Sequence, residues 1–371
     1  MAYRYLAAGN QPDFRTISDF RKEHGAALAG LFEQVLKLCR KAGLVKLGRV
    51  AVDGTKVKAN ASKHKAMSYG RMVEKERELK REIAELFARA EAIDREDDER
   101  YGRDRSGDEL PEELQRRESR LKKIREAKAA LEAEAKQQAA REATAAQQRI
   151  VERSREEQRR GRRFGGKPPQ IADPEQAVPE PQAQRNFTDP ESRIQKTPDG
   201  FIQGYTAVLA VDEAAQVIVS QHVTPSAPEV NELLPALDRI RQVLRRKPKQ
   251  VVADAGYWSE SNVEGLAQRD IDGYVARHRS KHSEPPLPPP RGRIPAKLSL
   301  ADRMQRKLRT KAGRAVYAKR KEIVEPVNGQ IKQARGFRQF LRRGIERVGQ
   351  EWALICTAHN LLKLQKAWGT A

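Results

Sequence analysis

Two segments of this chain place a carboxylate at the end of a short apolar run. In Val50-Ala-Val-Asp53-Gly-Thr-Lys-Val57 and in Gln250-Val-Val-Ala-Asp254-Ala-Gly256-Tyr257, an aspartate follows three small or β-branched residues. That composition predicts a buried strand, on which a lone aspartate is costly to bury as an ion unless something pairs with it. A third acid, Glu325, lies in a basic stretch: residues 301–350 hold 15 Lys and Arg against 4 Asp and Glu. Three carboxylates on rigid elements could hold two divalent ions ~3.5–4 Å apart. Such a pair generates a nucleophile at neutral pH and stabilises a departing oxyanion. Two Mg²⁺ or Mn²⁺ ions suit an all-oxygen donor set, because Mg²⁺ keeps several waters and needs few protein ligands. The chemistry expected of Asp53, Asp254 and Glu325 is therefore phosphodiester cleavage at a nuclease-like metal site. Spacing alone is weak, since an acid before glycine also ends ordinary strands in turns.

The partner expected from charge is nucleic acid. The 371 residues carry 73 Lys and Arg against 51 Asp and Glu, a formal net charge of +22, and such an excess attracts polyanions. A membrane surface would also attract it, but no run of ~18 apolar residues predicts a spanning helix, and no N-terminal signal segment is visible. A cytoplasmic, nucleoid-associated protein is expected. Cys39 and Cys356 fall in apolar helical patterns and read as buried thiols. Lys56 and Lys58 open a basic loop that continues through Lys63, His64 and Lys65; it reads equally as phosphate-tracking or as an ordinary soluble loop. His24 and His359 read as packing or boundary residues, not ligands.

Five stretches are expected to position these groups. Residues 1–46 are a helical piece, with Thr16 or Ser18 as first cap and Gly43 as the stop. Residues 47–69 are the first acidic strand and its basic loop. Residues 70–165 hold two apolar seams, Leu79, Ile83, Leu86, Ala90, Ile93 and Leu114, Leu121, Ile124, Leu131, broken at Tyr101–Asp108; they predict an inserted, coiled-coil-like helical hairpin. Residues 166–199 are a Pro/Gln-rich linker. Residues 200–371 return to strands and helices, ending in basic helices where Pro326 puts Glu325 at a helix start or kink. The terminal helix carries an apolar stripe through Val348, Trp352, Ile355, His359, Leu362 and Trp368. The order of elements predicts an α/β fold, a mixed sheet flanked by helices.

Several motifs resemble the DDE transposases of bacterial insertion sequences. Asp53-Gly-Thr-Lys-Val-Lys-Ala-Asn-Ala-Ser62 resembles their first catalytic block and Ala253-Asp254-Ala-Gly-Tyr257 their second. Tyr317, Glu325 and Lys332 fit the signature Tyr…Arg…Glu…Lys; Val324-Glu-Pro-Val-Asn-Gly-Gln-Ile-Lys332, Arg335-Gly-Phe-Arg-Gln-Phe340, Thr188-Asp-Pro-Glu-Ser-Arg193 and Gln203-Gly-Tyr205 are also similar. The spacing leaves either Arg320 or Lys321 in the signature's basic position. The resemblance implies an RNase H-like fold, with Asp53, Asp254 and Glu325 as catalytic metal ligands. It implies water attack to free a 3′-hydroxyl and attack of that hydroxyl on target DNA. Tyr317, Lys332, Arg320 or Lys321, Arg335 and Arg338 would contact DNA, together with Lys56 and Lys58, and Asp189 is a weaker site candidate beside a turn-capping role. Double-stranded DNA, both element ends and target, would be the partner of a homo-oligomer. Residues 1–46 would be part of a longer DNA-binding module, making this a truncated copy. Two alternatives stand beside it: a degenerate copy that binds DNA without catalysis, and a metal-dependent nuclease without strand transfer.

Overall fold

The structure, a computed structural model, describes residues 10–101, 112–166, 170–278, 288–292, 295 and 297–369, with side chains described outside 90–113 and 369. The chain divides into two compact units, Met1–Ala61 with Glu191–Ala371, and Ser62–Pro190.

The first unit begins with α1 (Phe14–Glu23) and α2 (Gly25–Lys41). Asp13, not Thr16 or Ser18, caps α1: its carboxylate accepts from the Thr16 N–H at 2.8 Å. An aspartate one residue before the helix satisfies an otherwise orphaned N–H, which moves the start upstream of the predicted cap. α2 buries Phe32, Val35, Leu36 and Cys39 and ends before Gly43, whose φ of 75° suits glycine. Then comes β1 (Arg49–Lys58). Val50, Ala51 and Val52 are all fully buried. Successive strand residues point to opposite faces, so both faces of β1 are covered.

The second unit holds β2 (Ala66–Ser68), α3 (Tyr69–Tyr101), α4 (Glu112–Arg160) and β3 (Gln184–Asn186). β2 and β3 pair antiparallel. The two helices also run antiparallel: Glu76 meets Arg125 and Lys128 at 3.3 and 3.0 Å, while Glu82, further along α3, meets the earlier Arg117 at 2.8 Å. Leu79, Leu114, Leu121, Ile124 and Leu131 of the predicted seams are buried, and Ile83 and Leu86 are half-buried. The side chains of Ala90 and Ile93 and residues 102–108 of the predicted break lie outside the described residues.

The sheet of the first unit resumes earlier than expected, inside the predicted linker, with β4 (Arg193–Thr197). The prolines that suggested a tether stop at Pro190 and return at Pro198. The run between them keeps every N–H for a ladder. β5 (Gly200–Asp212) pairs antiparallel with β4, with β6 (Ile218–Thr224) and with β1. α5 (Leu233–Leu244) follows, then β7 (Gln250–Ala253), α6 (Glu260–Gln268) and β8 (Asp272–Val275). β7 and β8 add parallel on the other side of β1, so the sheet is mixed, with order β4-β5-β1-β7-β8 and β6 also on β5. α7 (Leu300–Arg309), α8 (Lys311–Gly329) and α9 (Ile345–Gly369) complete the unit. α9 packs on α2 and β6, burying Val348, Trp352, Ile355 and His359; the stripe continues through Leu364, leaving Leu362 and Trp368 exposed. Tyr205, Phe340 and Trp352 stack edge to face in sequence, with centroids 6.1 and 6.3 Å apart. Cys39 and Cys356 are buried free thiols. Among the described residues, no helix is long and apolar enough to cross a membrane.

Candidate functional site

Val52 of β1 lies opposite Ala253 of β7 in a parallel ladder. Asp53 and Asp254 are the next residues on the two chains, which run ~4.8 Å apart as neighbouring strands. The sheet thus delivers both aspartates to the C-terminal end of β7. Asp254 caps the turn Ala255–Tyr257, its Oδ1 accepting from the Gly256 N–H at 2.8 Å.

α8 packs against β1, β5, β7 and β8. Tyr317, Arg320, Val324 and Asn328 recur every three or four residues and share one helical face. Asn328 Nδ2 donates to Asp53 Oδ2 at 3.1 Å. The Arg320 guanidinium lies 3.7 Å from Asp53 Oδ1 and 4.0 Å from Glu325 Oε1, linking two of the three acids through one cation. Lys321, the other candidate for that position, is exposed. Glu325 is also exposed and lies inside α8, which runs through Pro326 to Gly329, so the expected helix start at this point is absent. Proline has no N–H for the carbonyl four residues earlier. That carbonyl, on Glu322, accepts from Gln216 Nε2 at 3.0 Å instead, so the backbone group keeps a partner.

After α8 a single wider turn, Gln330–Ala334, closes with the Arg335 N–H on the Gln330 carbonyl at 3.1 Å. It carries Lys332, whose Nζ donates to the Lys56 carbonyl at 2.7 Å. Burial holds the Lys332 ammonium below its usual range, with Asp53 acting the other way. The Lys56 ammonium is turned inward, donating to Thr206 Oγ1, the Ala227 carbonyl and Glu229 Oε1, each at 2.8 Å. Lys58 is exposed, and its backbone pairs with Arg338 and Phe340. Arg338 is exposed and donates to Gln333 and to the Lys332 carbonyl. Arg335 is half-buried, with Nη1 lacking a hydrogen-bond partner. Asp189, in the second unit, is buried, and its N–H donates to Asn186 Oδ1.

Burial raises the Asp53 carboxyl to about 7; Arg320 pulls it down, while Asp254, Glu229 and Glu325 push it further up. Burial likewise raises the Tyr317 hydroxyl, against the pull of Arg320. Three polar atoms near Asp53 are buried without a hydrogen-bond partner: Tyr257 OH, Arg320 Nε and Asn328 Oδ1. Such orphans are uncommon in packed interiors and mark places where water or an ion is accommodated. The acidic donors around Asp53 are all oxygen, which suits Mg²⁺ or Mn²⁺. The chemistry therefore fits a hard divalent cation. The arrangement is a different matter. Among the described residues no group of three or more His, Cys, Asp or Glu is disposed to hold a metal ion. Arg320 and Asn328 meet the Asp53 carboxylate.

Three residues of this neighbourhood were missed from the sequence. Asn328 sits in a quoted motif, eight residues after Arg320, and helical spacing would have put it on the same face. Tyr257 closes the second acidic block, but nothing local marks its hydroxyl as buried and unpaired. Glu229 follows Pro228 ahead of α5 and carries no local signal.

Residues 293–365 match the family described as the transposase DDE domain. The matched segment contains α7, α8 and most of α9, with Tyr317, Arg320, Glu325 and Lys332, and it supports a DDE transposase. A comparison with curated proteins gives no match.

Proposed function

We propose that this chain is a DDE transposase that cuts DNA strands and transfers the freed 3′ end to a target, with Asp53, Asp254 and Glu325 as its catalytic acids. The observation that carries the proposal is the pairing of Val52 with Ala253, which sets Asp53, in the middle of β1, beside Asp254, just past the end of β7. Arg320, between Asp53 and Glu325, ties the third acid to them. The strand order, three antiparallel strands β6-β5-β1 followed by parallel β7 and β8, supports an RNase H-like reading of the fold. The paired α3 and α4 support an inserted helical hairpin.

When bound, two Mg²⁺ or Mn²⁺ ions would activate a water and stabilise the departing oxygen. Asp53, Asp254 and Glu325 are the residues that would hold them. Asn328 and Arg320 orient the Asp53 carboxylate from α8. Tyr317 on the same face, the exposed Lys58 and Arg338, and the exposed Lys321 offer groups for the DNA backbone, whose contacts fix register without reading sequence. Double-stranded DNA at element ends and target, and assembly of several copies on it, belong to this proposal.

Asp53→Ala, Asp254→Ala and Glu325→Ala are each expected to abolish Mg²⁺-dependent cleavage of duplex DNA while circular dichroism stays unchanged. A single alanine variant that cleaves like the wild type would remove that residue from the catalytic set. One rival draws on the contacts that Arg320 and Asn328 make with Asp53: a protein that binds DNA without cutting it. Calorimetric titration with Mn²⁺ separates the two, since only the enzyme has sites that the triple alanine variant loses.

A further inference from the structure

We propose that the end of α4 and the turn after it, residues 149–163, form an arginine-built seat for the phosphate backbone of duplex DNA. The choice of duplex DNA as partner rests on the catalytic reading above. The seat itself rests on charge and geometry within the second unit, which holds none of the three proposed catalytic acids.

α3 covers only part of its longer neighbour. Its first residue, Tyr69, donates its hydroxyl to Glu132 at 2.8 Å, so residues 133–160 of α4 lie past the start of α3. Ion pairs brace the near part of this extension, Glu134 with Arg185 at 2.5 Å and Lys136 with Glu175 at 2.6 Å. Further on the composition changes: residues 149–163 hold seven arginines, three glutamates and no lysine.

Two of those arginines build the end of the helix. Gly161, with φ of 66°, lets the chain turn back. The Phe164 ring then meets the guanidiniums of Arg153 and Arg160, 5.9 and 5.0 Å from its centroid. The Phe164 N–H donates to Glu157 Oε1 at 2.9 Å, and Arg153 donates to the Phe164 and Gly166 carbonyls, each at 2.9 Å. Arg153 and Arg160 also pair with Glu157 and Glu156 at 3.1 and 2.5 Å. The hook fixes the backbone from which Arg162 and Arg163 project.

The fold leaves the other arginines for a partner. Arg149, Arg155, Arg159, Arg162 and Arg163 are exposed, and among the described residues Arg149, Arg155, Arg159 and Arg162 form no salt bridge. Arg155 and Arg159, four apart, share a helical face. Guanidinium forks match phosphate oxygens in pairs, and cations on a preorganised turn lose less freedom on binding. A membrane surface would demand a broad apolar face as well, but Val151 is the only exposed apolar side chain of the stretch.

The test is binding of the full chain to a fluorescein-labelled DNA duplex, read by anisotropy in EDTA across a salt series, so that neither metal nor cleavage enters. The triple variant Arg155→Gln, Arg159→Gln, Arg162→Gln should flatten the slope of log K against log salt by about two to three, at about 0.9 per phosphate contact. The triple variant Arg120→Gln, Lys122→Gln, Lys123→Gln removes the same charge from exposed positions earlier on α4 and should keep the wild-type slope. A wild-type slope in the first variant, or an equal loss in both, would overturn the seat. Phe164→Ala opens the hook and keeps every charge; it should weaken binding a few-fold at an unchanged slope, and wild-type affinity would refute the preorganised turn. The catalytic reading fails separately: it falls if Asp53→Ala cleaves like the wild type, whatever the slope of the arginine variant.

Discussion

Replacing Asp53 by asparagine should stabilise this protein above pH 7, and the size of the effect follows from the site. The folded carboxyl is raised from 3.8 to about 7, chiefly by burial. Between those values the folded chain holds a proton that the unfolded chain has released. Stability therefore falls as pH rises through that window, and the loss is complete above about pH 7. At about 1.36 kcal/mol per pH unit, the displacement is worth about 4 kcal/mol, and about half of that once neighbouring side chains relax. Asparagine keeps the shape and removes the charge. Urea midpoints at pH 8 should thus rise by roughly 1 M, with an m-value of a few kcal/mol/M, and near pH 4 the variant should gain nothing. His359 provides the control. It is fully buried, its Nε2 lies 2.9 Å from the Gln216 carbonyl, and burial lowers it from 6.5 to about 4. A lowered histidine works in the opposite sense: its stability is present above pH 6.5 and is lost as pH falls towards 4. The two slopes oppose each other in the wild type. Asp53→Asn should expose the acid-side loss due to His359, and His359→Gln should expose the alkaline-side loss due to Asp53. If urea midpoints of Asp53→Asn run parallel to the wild type from pH 5 to pH 8, Asp53 is not a raised carboxyl and the electrostatic account of the site fails.

Arg320→Ala removes the cation shared by Asp53 and Glu325; it should bring DNA cleavage to background and lower stability at pH 8 by about 3 kcal/mol, because it leaves the largely buried Asp53 carboxylate without its cation. Lys321→Ala should cleave within a few-fold of wild type, and the reverse pattern would move the signature's basic position to Lys321. Lys58→Ala should reduce the salt dependence of DNA binding by about one phosphate contact, read from the slope of log K against log salt. Lys56→Ala should leave that slope unchanged, because its ammonium is committed to Thr206, Ala227 and Glu229; a lowered slope would show that Lys56 reaches DNA.

The strands were legible because burial on both faces leaves a compositional mark. Val50-Ala-Val and Val251-Val-Ala are continuous apolar runs, as parallel strands covered on both sides must be. The seams of α3 and α4 were legible for the same reason at helical period. β4 was not: Arg193-Ile-Gln-Lys-Thr197 is polar, pairs among the described residues only with β5, and lies beside prolines that dominate the composition of its neighbourhood. Its membership of the sheet is decided by a partner strand, which no local window contains.

The site divides along the same line. Asp53 and Asp254 could be found because each follows the apolar run of a buried strand, which limits where the next side chain can go. Glu325 could be found only by motif, since its helix is interrupted in sequence by Pro326 and continued in space by a hydrogen bond from Gln216, more than 100 residues away. Glu229 is the limiting case. Glycine at position 54 reads as a generic turn residue until the side chain that needs its missing Cβ is located, and that side chain comes from a different loop. A glycine next to an acid therefore carries two distinct meanings, room for a ligand or room for another part of the chain, and only the second can be settled by placing a methyl there. At Gly54 that methyl strikes the carboxylate of Glu229, so this glycine makes room for another part of the chain.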